Sequence, residues 1–151
     1  MVCSEVIEHV DDPVGFCRLI RSYLKFGGRL LVTVPAGPMS AFDYYIGHRH
    51  HYDRTSITQV LDAAGFKVEV VKLAGFPFFN LYRLAVIILG KRLISSAKSS
   101  GERSGAGTVA RLTMALFRVL FRYNLVNSAW GWQLLAVARR PAGDPHHGFS
   151  D

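Results

Sequence analysis

The run Arg29-Leu-Leu-Val-Thr-Val-Pro35 limits the fold more than any other feature of this sequence. It is short, β-branched and apolar almost without interruption. Such a run fits a strand buried on both faces, which requires a sheet with layers on either side. The flanking segments supply those layers. Upstream, Asp11-Asp12-Pro13 marks a helix start, with an Asp N-cap and Pro at the first helical position. Phe16, Cys17, Ile20, Tyr23 and Leu24 recur at helical spacing, and Gly27-Gly28 closes the helix. Downstream, Asp53 caps a second helix whose stripe is Ile57, Val60, Leu61 and Ala64, ended by Gly65. Phe66 to Leu73 reads as a strand, with Phe66, Val68 and Val70 alternating against Lys67 and Glu69. Helix, strand, helix, strand with short turns predicts an α/β layered fold with a mainly parallel sheet.

Between these elements, Ala36 to Tyr52 holds Gly, Pro, Ser, aromatics and histidines, and reads as a long functional loop. From Gly75 the character changes. Phe78 to Ile94 predicts an apolar helix, Ser95 to Gly107 a flexible Ser/Gly-rich connector, and Thr108 to Tyr123 a second helix. Trp132 to Ala138 predicts a final strand. The expected organisation is a core part over 1–74, a helical insertion over 75–130 with its linker at 95–107, a last core strand within 131–141 and a disordered tail over 142–151.

Composition excludes several classes. Half of the 151 residues are hydrophobic and 19% are charged, which is globular and not disordered. The longest purely apolar run, Leu84 to Leu89, is far short of the roughly 20 residues of a membrane span. The start of the chain has no basic n-region and reads as no signal peptide. Cys3 and Cys17 have no metal-ligand spacing and read as reduced thiols of a cytoplasmic protein. Net charge is +7, so an acidic partner is expected. Nucleic acid is disfavoured, because the basic residues are interleaved with bulky aliphatics and no recognition motif accompanies them.

The most specific motif is Ser4-Glu5-Val-Ile-Glu8-His9-Val10-Asp-Asp-Pro13. It resembles the segment after the fourth strand of class I S-adenosylmethionine-dependent methyltransferases, in particular the branch with the ubiquinone-pathway O-methyltransferases. Phe26-Gly-Gly-Arg-Leu-Leu-Val-Thr-Val-Pro35 resembles the fifth strand and its glycine turn. Tyr52 through Phe66 resembles the next helix and its exit into the sixth strand. Gly131-Trp-Gln-Leu-Leu-Ala-Val-Ala-Arg-Arg-Pro141 resembles the last, antiparallel strand. The resemblance covers residues 1 to about 74 and 131 to 141. It implies a partial Rossmann-like methyltransferase fold, mostly parallel with an antiparallel last strand, plus a helical insertion. It also implies the C-terminal half only, because the glycine-rich turn and the ribose-binding acid of the family have no counterpart here. S-adenosylmethionine is therefore the expected cofactor, with weak or absent binding.

The resemblance implies O- or C-methylation of a small hydrophobic or lipid-linked acceptor, with Cys3, Ser4, Glu5 and His9 beside the cofactor. The alternative is a non-catalytic half-domain that acts as a binding module. Glu5, Glu8 and His9 are candidate ligands of a divalent cation, since carboxylates and imidazole suit such ions. Otherwise the carboxylates cap or solvate the turn. In Gly47-His48-Arg49-His50-His51-Tyr52, His48 and His51 are candidate proton acceptors for a hydroxyl substrate, set against a merely solvated basic loop. Zinc is not expected there, because no cysteine and no well-spaced further ligand accompanies the loop. Arg111, Arg118 and Arg122 share one side of an apolar helix, so residues 76–125 are expected at a membrane surface, peripheral at its inner face. Self-association through an exposed sheet edge is also expected.

Overall fold

The structure, a computed structural model, describes residues 1–98 and 104–142. Its strands are β1 (Val2–Ser4), β2 (Arg29–Pro35), β3 (Lys67–Ala74) and β4 (Gln133–Arg139); its helices are α1 (Pro13–Tyr23), α2 (Ala41–Tyr45), α3 (Arg54–Ala63), α4 (Phe78–Lys98) and α5 (Ser104–Leu120). The four strands form one sheet in the order β1-β2-β4-β3. β1 and β2 are parallel, and β4 is antiparallel to both β2 and β3. Three strands therefore share one direction and the last strand opposes them, as expected for this fold class.

β2 and β4 bury one face together. Leu30, Val32 and Val34 lie opposite Ala138, Ala136 and Leu134, and all six are fully buried. Leu30 and Val32 thus face alanines and Val34 faces Leu134, and together they fill one layer. Cys17, Ile20 and Leu24 of α1 and its exit cover this face, with Ile57 and Leu61 of α3. Burying each such side chain contributes about 1.5–3 kcal/mol. The opposite face of β2, Leu31 and Thr33, is half-buried.

Both predicted caps are present. Asp12 accepts from Gly15 N at 2.9 Å, and Asp53 accepts from Ser56 N at 2.7 Å. α1 ends at Tyr23, before the glycine pair, and Gly27, at φ +74°, serves the turn into β2 instead. Tyr23, placed on the core stripe by its spacing, is exposed because it falls in the last turn, beyond the sheet.

The alternation expected along β3 breaks between Val68 and Val70. A β-bulge there turns Val70 outward, while Val68, Val71 and Leu73 pack on the core. An extra residue reverses which side chains face in. The bulge also places Glu69 between Arg29 at 2.7 Å and Arg139 at 2.5 Å, so one carboxylate bridges two cations at the strand ends.

The insertion departs from its predicted boundaries. Both helices run into the segment 95–107, reaching Lys98 and starting again at Ser104. Residues 99–103 of the predicted connector, and 143–151 of the predicted tail, lie outside the described residues. α4 and α5 meet through Phe79, Tyr82, Phe117 and Phe121, with ring centroids 5.4–6.4 Å apart. Such spacings suit edge-to-face and tilted aromatic pairs.

Candidate functional site

β1, β2 and β3 end on the same edge of the sheet, at Ser4, Pro35 and Ala74. In open α/β sheets, ligands bind outside the carboxyl ends of the parallel strands. Here that edge carries a short 3-10 turn, Ile7–His9, after β1 and the histidine-bearing segment after β2.

Cys3 is buried in the core. Ser4 and Thr33 share a hydroxyl hydrogen bond of 2.7 Å across the ends of β1 and β2. Glu5 has φ +52°, the left-handed region, alone among the described non-glycine residues. Its N–H donates to Thr33 O at 2.9 Å and its carboxylate accepts from Gln133 Nε2 at 2.7 Å. A non-glycine residue held there stores backbone strain, which clusters at binding sites.

Glu8 is fully buried, and neither carboxylate oxygen has a hydrogen-bond partner. A cap or a solvated group, the second reading of this residue, is excluded by that burial. Desolvation pushes its pKa above the ordinary carboxylate value, and Glu5 nearby adds to the rise. The Glu8 carbonyl accepts from Arg49 N at 2.7 Å and anchors the histidine loop. His9 is exposed, and its Nδ1 lies 3.0 Å from Gly47 O.

The segment Ala36 to Tyr52 is not loop throughout. Ser40 and Asp43 form a capping box that starts α2. Asp43 is fully buried. Its Oδ2 accepts from Ser40 N at 2.8 Å and Ser40 Oγ at 2.7 Å. Arg83 of α4 binds it with two bonds of 2.8 and 3.0 Å. Burial pushes the Asp43 pKa up, but the bonds from Arg83 and Ser40 outweigh it and hold the group at about 2.

Two buried imidazoles face this carboxylate. His48 Nδ1 lies 3.8 Å from Asp43 Oδ1, and His51 Nε2 lies 3.9 Å from it. The two nitrogens are 3.2 Å apart. Desolvation lowers both imidazole pKa values, against the pull of Asp43. The solvated-loop reading therefore fails for His48 and His51, although Arg49 and His50 are exposed. His51 Nδ1 lies 3.0 Å from Gly37 O. Gly37 has φ +77°, and a Cβ there would meet the Trp132 ring at 2.7 Å, so only glycine lets this carbonyl reach the imidazole.

Among the described residues, two triads bring cation-ligating atoms together: Glu8, His9 and His48, and Asp43, His48 and His51. Glu5 belongs to neither. The sequence reading missed Asp43 and Arg83. A cavity of about 540 Å³ is lined by Gly37, Tyr52, Phe76, Asn80, Trp130 and Trp132 among others, and Gly37 connects its wall to His51.

Comparison with solved structures finds the following likenesses, of which the first supports this architecture. The [4+2]-cyclase SpnF superposes with a TM-score of 0.54 at 19% identity, over 94% of this chain and 49% of that one. A provisionally assigned methyltransferase from Bacillus halodurans C-125 gives 0.49 at 21% identity, over 93% and 63%. Phosphoethanolamine N-methyltransferase 2 of Haemonchus contortus, in complex with phosphomonomethylethanolamine and S-adenosylhomocysteine, gives 0.49 at 19%, over 93% and 33%. The chain thus spans between a third and under two thirds of the length of these structures. No curated protein matches it. The fold class is α/β. Within it, residues 1–71 match a family described as a methyltransferase domain.

Proposed function

We propose that this chain is the acceptor-side part of an S-adenosylmethionine-dependent methyltransferase of the ubiquinone-pathway O-methyltransferase type, acting on a small hydrophobic acceptor. The observation that carries the reading is the strained Glu5 turn at the carboxyl edge of the sheet, inside the segment that matches a methyltransferase domain. S-adenosylmethionine supplies an activated methyl group on a sulfonium. Ser4, Glu5 and His9 would flank it, and Cys3 would pack beneath; the polar end of β1 fits such a group. The chain's own task is to align the acceptor in line and to handle its proton. The apolar cavity beside Gly37 suits a hydrophobic acceptor, and His48 and His51 are the groups proposed to handle its hydroxyl proton.

No helix among the described residues is long and apolar enough to cross a membrane. The open face of α5 exposes Leu112, Met114, Leu116 and Val119 beside Arg111 and Arg118, so we place residues 76–125 at a membrane surface, where a lipid-linked acceptor would be met. NMR of the 151-residue chain with millimolar S-adenosylhomocysteine tests the site. Amide shifts confined to residues 3–9 and 33–37 are expected. Shifts centred on α5 instead would remove the methyltransferase reading.

A further inference from the structure

We propose that Asp43, His48 and His51 bind a divalent transition-metal ion. The three donor atoms, Asp43 Oδ1, His48 Nδ1 and His51 Nε2, are separated by 3.2, 3.8 and 3.9 Å. A point equidistant from atoms so spaced lies about 2.1 Å from each, which is the length of a Zn–N or Zn–O bond. Convergence of this kind is not produced by hydrogen bonding alone, because only the His48–His51 separation is within hydrogen-bond range.

The side chains are held for the purpose from outside the triad. Arg83 and Ser40 fix the carboxylate through both oxygens and leave Oδ1 with one partner from Arg83. The Gly37 carbonyl accepts a hydrogen bond from the His51 Nδ1–H, so Nε2 of that neutral ring presents a lone pair toward the other two ligand atoms. A ligating imidazole almost always has its second nitrogen committed in this way. All three side chains are at least nine-tenths buried, at 0, 9 and 5% exposure for Asp43, His48 and His51, so water does not compete for them freely. Two imidazoles and one carboxylate suit Zn²⁺, Co²⁺ or Fe²⁺ better than Mg²⁺ or Ca²⁺, which prefer oxygen cages.

Three protein ligands leave coordination positions open, the pattern of catalytic and not of closed structural sites. An acceptor hydroxyl bound there would lose its proton to solvent more readily, because the ion stabilises the oxyanion. That last role rests on the methyl-transfer reading; the binding of the ion does not.

The test is calorimetric titration of Zn²⁺ into the full chain carrying His50→Gln, His146→Gln and His147→Gln, which removes the histidines outside the two triads. One ion per chain is expected. His51→Gln and His48→Gln should each weaken it by about tenfold or more, while His9→Gln and Glu8→Gln leave it within about threefold, since removing a ligand costs at least what removing its orienting partner does. In the parent chain, where no variant can misfold, Zn²⁺ should shift the ring-proton NMR signals of both His48 and His51 and leave those of His50 in place. Binding that survives His51→Gln but is lost in His9→Gln would assign the ion to Glu8, His9 and His48 and overturn the proposal. So would unshifted His48 and His51 signals at saturating Zn²⁺. S-adenosylhomocysteine mapping is read on different residues, so either proposal can fail while the other stands.

Discussion

At the scale of single residues, the Asp43–Arg83 pair is the strongest structural commitment around the site. Both side chains are buried, and together they tie α2 to α4. Arg83→Met leaves an uncompensated carboxylate in a dry position, which should destabilise the chain by about 3–5 kcal/mol in urea unfolding. Asp43→Asn added to Arg83→Met should recover much of that loss, because no buried charge then remains. A loss below about 1 kcal/mol in Arg83→Met would mean that the pair behaves like an exposed one. The buried imidazoles make stability depend on pH. Their folded pKa values lie below the ordinary 6.5, so the unfolded chain takes up protons first on acidification. The stability they contribute is present above 6.5 and is lost as pH falls through their folded values. Glu8 acts in the opposite sense: its raised pKa favours the fold below the ordinary 4.5, and that contribution fades as pH rises through the folded value. The urea midpoint should therefore fall between about pH 7 and pH 5, and His48→Gln with His51→Gln should flatten that fall. An unchanged slope in the double variant would show that other groups carry it. Glu8, His9, His48 and His51 were all legible in the sequence as chemically suggestive types. Asp43 had a signal that went unused, the Ser40-x-x-Asp43 capping box. Arg83 had none, because an ion pair across 40 residues leaves no period in the sequence.

At the scale of elements, strands and helices with strong caps were legible because their signals are local: Asp12-Pro13, Asp53 with Ser56, and the apolar run of β2. The β3 bulge was not, because Val68-Glu-Val-Val71 fits either register until Glu69 finds Arg29 and Arg139. The Ser/Gly-rich stretch was read too widely as connector, since Ser and Gly lower helix propensity by only about 1 kcal/mol or less per residue and neighbouring turns can override them. The inner aromatics of α4 and α5 are used up against each other, while Leu84, Ile88, Leu112, Leu116 and Val119 stay exposed. An open groove of about 640 Å³ beside them is lined by Arg111, Met114, Ala115, Arg118 and Phe121. Long basic side chains can keep their charge at phosphates and their stems in the apolar layer. Vesicles with anionic headgroups should therefore carry the chain in a flotation assay, more weakly at high salt, and Arg111→Gln with Arg118→Gln should reduce the bound fraction several-fold. Equal flotation with neutral vesicles, insensitive to salt, would leave only the apolar contribution; no flotation with either would return the two helices to ordinary packing.

At the scale of the whole molecule, the question is how much of a cofactor site four strands can hold. The mainly parallel sheet was legible from the alternation of elements, and the antiparallel last strand from the family resemblance; its place between β2 and β3 is set by the structure. The ligand edge follows from that topology, and it presents Ser4, Glu5 and the Ile7–His9 turn. The sequence has no glycine-rich turn of the GxGxG kind to approach the methionine portion of the cofactor, and no identified acid for its ribose hydroxyls. Binding energy from those two contacts is then missing. Losing two hydrogen bonds to a charged or carboxylate partner removes about 3–6 kcal/mol, or two to four powers of ten in affinity. Calorimetric titration of S-adenosylmethionine into the 151-residue chain should therefore show a dissociation constant of about 100 μM or weaker. Glu5→Gly, which relaxes the left-handed φ, should change that affinity by less than about threefold if the carboxylate serves Gln133 and not the cofactor. Low-micromolar binding would show that the β1 edge alone holds the cofactor. In that case the Glu5 carboxylate, and not a glycine-rich turn, would be a principal determinant of affinity, and Glu5→Gly, which keeps the turn but removes the carboxylate, should weaken it by more than about tenfold.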